Sequence, residues 1–151
     1  MGFNIIEEYK LDGLKCKINS GSGFGGFNGY ITYPKRPLKE DGYNGIATYI
    51  PVHGGLTYAK EEKDGSFTYG FDTSHCDSPK FPVTDVNWIK KQIQVIRDGI
   101  AICKKYEDKY LLAEGDNKKR AKICQKIYDI GKDNNDGMPF GININLLSGK
   151  L

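Results

Sequence analysis

Histidine is scarce in this chain and cysteine is scattered. There are two imidazoles, His53 and His75, and four thiols, Cys16, Cys76, Cys103 and Cys124, with no C-x-x-C pair among them. That spacing excludes neither reactivity nor burial, but it argues against a disulfide framework or a structural zinc site and fits free thiols in a reducing cytosol. Long apolar runs are missing too. No stretch approaches the ~20 apolar residues needed to span a bilayer, and Met1 to Glu8 lacks a basic segment leading into an apolar one. The expectation is a cytoplasmic protein with no membrane partner. An excess of one charge is also absent, since 22 basic against 19 acidic side chains give a formal net charge of +3. Duplex nucleic acid, which calls for concentrated positive charge, is therefore not an expected partner.

What the chain does have is enough apolar material for one core. Its 151 residues are 38% hydrophobic and 12% aromatic, which fits a single α+β domain over residues 1–151. The Gly-, Tyr- and Thr-rich first half predicts an antiparallel sheet, with strands near Asn4 to Tyr9, Leu14 to Ile18, Gly29 to Tyr33, Gly45 to Pro51, Gly55 to Glu62 and Ser66 to Asp72. Asp64-Gly65 predicts a two-residue type I′ hairpin turn that sets Glu61 opposite Thr68, Tyr58 opposite Phe71 and Gly54 opposite His75. Alternation then sends Leu56, Tyr58, Phe67, Tyr69 and Phe71 to one side, and Thr57, Ala59, Glu61, Thr68, Gly70 and Asp72 to the other.

Two helices and a last strand complete the expected fold. Trp88, Ile89, Ile93, Ile96, Ile100 and Cys103 form a stripe at helical spacing, introduced by Thr84 as N-cap with Asp85 in the first turn. Gly99 within that helix marks a close approach to another segment. A second helix begins at Asp116 and ends by Gly131, with Ala121, Cys124 and Ile127 inward and Lys118 to Lys126 on a solvated outer side. Alternation over Phe140 to Leu146 predicts a final strand returning to the sheet.

The expected register gathers the candidate chemistry at the open end of the hairpin. His53, Gly54, Gly55 and Thr57 would face Asp72, Ser74 and His75 there. Imidazole and carboxylate could serve ligand binding, metal binding or proton transfer. In a regular hairpin, however, the two histidines point to opposite faces, so a bulge at Gly54-Gly55 is needed to bring them together. The structural alternative has His75 closing the core and Asp72 capping a turn. Ahead of the hairpin, Ser20 to Tyr30 contains G-x-G-x-x-G. A strand-like segment follows it, so it is not a dinucleotide fingerprint. It reads either as a plain Gly-rich loop or as a flap whose Phe24, Phe27 and Tyr30 stack on a planar ligand, with Arg36 near a phosphate.

Val52-His53-Gly54-Gly55-Leu56-Thr57-Tyr58 and Gly70-Phe71-Asp72-Thr73-Ser74-His75, with Gly29-Tyr30 before them, resemble a family of small proteins of phages and other mobile elements. That family pairs an H-G-G-hydrophobic-T-aromatic strand with a G-F-D-x-x-H strand. The likeness covers mainly residues 29 to 77. It departs after His75, where Cys76-Asp77 stands in place of the Gly-Asp, or similar small residue and Asp, that members often carry. The resemblance implies a phage or mobile-element accessory protein and carries over no activity, catalytic role or cofactor; small proteins of this origin commonly act against host defence. The leading expectation is a binder that sequesters a small nucleotide-like immune signal, with oligomerisation as one way to build its pockets. Two rivals are an inhibitor of a host defence protein of the anti-CRISPR type and a small hydrolase using His53, Asp72 and His75.

Overall fold

The computed structural model describes residues 3–21, 23, 25–40, 45–76 and 78–131. Five strands, β1 (Ile5–Leu11), β2 (Leu14–Asn19), β3 (Asn28–Tyr33), β4 (Tyr58–Glu61) and β5 (Phe67–Phe71), form one sheet in the order β1-β2-β3-β5-β4. Every neighbouring pair is antiparallel. Two helices follow, α1 (Val86–Leu112) and α2 (Asn117–Tyr128), so the class is the expected α+β. No helix among the described residues is long and apolar enough to cross a membrane. The strand expected over Phe140 to Leu146 lies outside the described residues.

Residues opposite one another in an antiparallel sheet share a face. One face carries Tyr9, Cys16, Ile31, Tyr69 and Ala59 in one row and Glu7, Ile18, Gly29 and Phe71 in the next. Helix α1 lies on that side. Its Ile89, Ile93, Ile96 and Ile100 are buried together with Ile18, Ile31, Tyr69 and Phe71, and each fully buried side chain of this size contributes roughly 1.5–3 kcal/mol. Asp85, one residue later than expected, is the α1 N-cap and accepts from Asn87 N at 2.9 Å and Trp88 N at 3.4 Å. Helix α2, capped by Asp116, packs on α1, where Arg120 Nε donates to Tyr110 O at 3.0 Å and its guanidinium stacks 4.0 Å from the Tyr110 ring.

Three expectations about the first half are corrected. Gly45 to Pro51 holds no strand, because Ile46–Tyr49 is a 3-10 turn. Its Ile50 packs into the space beside Gly99, 2.7 Å from where a β-carbon there would sit. Strand β4 starts only at Tyr58, leaving the His53 segment outside the sheet. The β4–β5 hairpin is also one residue out of the expected register, with Tyr58 opposite Gly70 and Glu61 opposite Phe67.

The cause of the shift is the turn. Gly65 N donates to Glu62 O at 3.0 Å and Glu62 N to Ser66 O at 2.7 Å, so Lys63 joins Asp64-Gly65 in a three-residue loop. Asp64 Oδ1 accepts from Ser66 N at 3.0 Å and Ser66 Oγ at 2.6 Å, and only Gly65 takes positive φ, at 88°. That combination fits a type I turn followed by a left-handed glycine. The type I′ pair occurs instead at Asp12-Gly13, between β1 and β2, with φ of 50° and 82°.

Candidate functional site

The two imidazoles do meet, by a route other than strand pairing. After the 3-10 turn, Gly55 N donates to Val52 O at 2.8 Å, and Gly54 and Gly55 take φ of 71° and 81°. This left-handed pair reverses the chain at His53 and frees the volume above Gly54, which the His75 ring fills. The two rings lie 5.8 Å apart, edge to face.

His53 itself points inward and is 1% exposed. Its backbone N donates to Gln92 Oε1 at 2.9 Å, and its ring sits 4.9 Å from Phe81 and 5.2 Å from Trp88. Nε2 lies 2.8 Å from Ser78 Oγ, which also accepts from His75 N at 3.3 Å. His53 thus fastens the Gly54-Gly55 turn, the Ser78 segment and α1 to one another, in a place no surface ligand touches.

His75 and Asp72 stay at the surface, their side chains 24% and 35% exposed, with His75 Nε2 3.3 Å from Asp72 Oδ1. The same carboxylate oxygen accepts from Ser74 N at 2.9 Å, the turn-capping bond expected of Asp72. The Gly-rich segment is stitched to this stretch, since Gly23 N donates to Ser74 Oγ at 2.8 Å and Thr73 Oγ1 to Phe27 O at 3.0 Å. Phe27 packs against the core, not in a flap, and Phe24 lies outside the described residues. Arg36 is elsewhere, 5.4 Å over the Phe67 ring at the far end of β5. Among the described residues no group of three His, Cys, Asp or Glu is arranged to hold a metal ion.

Tyr30 stands on the outer face of the sheet, away from α1, in a row that runs Glu8, Lys17, Tyr30, Gly70, Tyr58. Its ring lies across Gly70, with Cε1 2.8 Å from where a β-carbon would be. Tyr58 meets it edge-on at 5.5 Å, and Lys17 Nζ is 5.5 Å from the ring centre. Burial raises the Tyr30 phenol above its ordinary pKa; a hydrogen bond with Asn19 lowers it, and the Asp72 carboxylate raises it again. Asp72 therefore joins the two halves of the surface, paired with His75 on one side and acting on Tyr30 on the other. Thr57, whose N donates to Gly70 O at 3.0 Å, is exposed beside this row.

Of the expected site residues, the structure gathers Tyr30, Asp72, Ser74 and His75 at one end of the sheet, buries His53 behind them and leaves Arg36 apart. Lys17, Tyr58 and Gly70 were not anticipated. The shifted register hid Tyr58 by assigning it to the core side; the signal that points to it is Gly70 itself, a glycine inside a strand of alternating aromatics, which marks a close approach. No protein-family model, curated protein or solved structure matches this chain.

Proposed function

We propose that the protein is a non-catalytic binder of a nucleotide-like molecule, acting for a phage or mobile element against host defence by withdrawing that molecule from use. One observation carries the reading: the Tyr30 ring laid across Gly70, with Tyr58 at its edge, Lys17 on one side and Asp72 on the other. A base stacks on such a ring, an ammonium neutralises a phosphate, and a carboxylate accepts from an exocyclic amino group. Binding is favoured over catalysis because both imidazoles are occupied in holding the fold, His53 with Ser78 and His75 with Asp72 over Gly54. The role against host defence draws on the resemblance of the His53 and His75 motifs to proteins of phages and mobile elements.

The test is titration calorimetry with a panel of mononucleotides and cyclic dinucleotides, followed by recovery of the ligand. Binding with the ligand intact is expected, and Tyr30→Ala should weaken it roughly 5- to 150-fold, the ~1–3 kcal/mol of one stacked base. Turnover of the ligand, or full affinity in Tyr30→Ala with the fold preserved, would reject the proposal. An inhibitor of a host protein is the second reading, favoured by Phe3 and Ile5, 62% and 60% exposed along the β1 edge. Co-purification with a host protein and no nucleotide binding would select it.

A further inference from the structure

We infer that the outer face of the sheet takes a single-stranded oligonucleotide, several nucleotides long, in preference to an isolated mononucleotide. The inference rests on the nucleotide-binding reading of Tyr30 and extends it to the rest of that face. Beside the Tyr30 row runs a second row, Lys10, Lys15, Thr32, Thr68, Lys60. Together the two rows carry four lysines, all exposed, against the single carboxylate of Glu8. Three more carboxylates stand at the rim, hydrogen-bonded to neutral donors and still charged: Glu62 accepts from Tyr58 Oη at 3.3 Å, Asp64 from Ser66, and Asp72 from Ser74 N.

Four exposed lysines, on β1, β2 and β4, thus flank a half-buried aromatic pair whose rings reach the surface at the centre of the face. Five strands at ~4.8 Å spacing make the face ~19 Å wide, several times the footprint of one stacked base. A single nucleotide on Tyr30 reaches Lys17 but leaves Lys10, Lys15 and Lys60 unused. A strand of linked nucleotides uses them all, with bases on Tyr30 and Tyr58 and phosphates along the lysines. Tyr30 can stack only on a base whose face is free, which requires an unpaired strand. The net charge of +3 hides this pattern because it averages the two faces of the sheet and both helices.

The experiment is fluorescence anisotropy with labelled RNA and DNA single strands of one, two, four and eight nucleotides and an eight-base-pair duplex, at 50 and 200 mM salt. Expected are at least tenfold tighter binding of the octamer than of the dinucleotide in one or both chemistries, and a log–log salt slope of roughly −2 to −3 for three or four neutralised phosphates. Lys10→Glu/Lys15→Glu should weaken octamer binding at least tenfold, with an unchanged melting temperature certifying the fold. Equal affinity at every length overturns the inference and leaves the nucleotide reading standing; no binding at any length, mononucleotide included, overturns both. Octamer affinity unaltered by the lysine pair, or duplex bound as tightly as single strand, also overturns it.

Discussion

Gly54 shows how one residue holds the site together. Its φ of 71° is one that a side chain resists, and the place where its β-carbon would sit is filled by the His75 ring. Substituting alanine therefore meets two costs, about 1 kcal/mol of backbone strain and the displacement of an imidazole that is paired with Asp72. Gly115 separates the two, because its φ of 85° is equally positive but nothing lies within 4 Å of its would-be β-carbon. In urea unfolding, Gly115→Ala should lose about 1 kcal/mol and Gly54→Ala about 2–4 kcal/mol. Equal losses would show that the ring is free to move aside. The convergence of His53 and His75 was legible in the sequence, since the glycines between the first imidazole and the strand announce unusual backbone. Its path was not, because a left-handed reversal and a bulged strand leave the same trace.

Elements were readable to the degree that their signals were redundant. Helix α1 repeats its apolar positions over seven turns and opens on an acidic cap, so a one-residue error at the cap left the helix intact. Asp85→Ala should cost about 1 kcal/mol in chemical denaturation, as Asp85 accepts from two backbone N–H groups, whereas Thr84→Ala should be nearly neutral. The reverse ranking would return the cap to Thr84. The β4–β5 hairpin had only its turn to fix it, and the Asp-Gly turns at Asp12 and Asp64 differ in conformation. At Asp12 the residue accepts positive φ; at Asp64 two bonds from Ser66 hold the carboxylate in the other arrangement. That local competition moves every β4 side chain to the opposite face, and Tyr58 with them. Gly45 to Pro51 failed as a strand for a different reason: Ile46, Ile50 and Val52 are buried by packing around α1, and an apolar run does not say whether a sheet or a helix covers it.

Across the whole molecule, the α+β class was plain from composition and periodicity, and alternation put Phe67, Tyr69 and Phe71 of β5 on the covered face of the sheet and Thr68 and Gly70 on the outer one, while the β4 residues were assigned to the wrong faces. That division predicts how the fold responds to base. On the covered side burial pushes the Tyr9 and Tyr33 hydroxyls well above the ordinary phenol value, and Tyr49 beneath α2 is pushed the same way, first by burial and then by Tyr110. Burial also lifts the Cys124 thiol to about 12. In each case the folded pKa exceeds the unfolded one, so above the ordinary value the unfolded chain has released protons that the folded chain retains. The phenols' stabilisation is complete below about pH 9 and declines as pH rises past 10, whereas the thiol's begins to decline about one pH unit earlier, around its ordinary value of 9.0. Melting temperature should accordingly be flat from pH 7 to 8.5 and fall steadily beyond pH 9.5. Phenolate absorbance near 295 nm should gain a cooperative step that coincides with loss of helical circular dichroism. A melting temperature constant to pH 11, with all phenols titrating smoothly in the native state, would mean that solvent reaches the space between sheet and helices. The outer face could then no longer be assigned as the accessible one, since both faces would be open to a ligand.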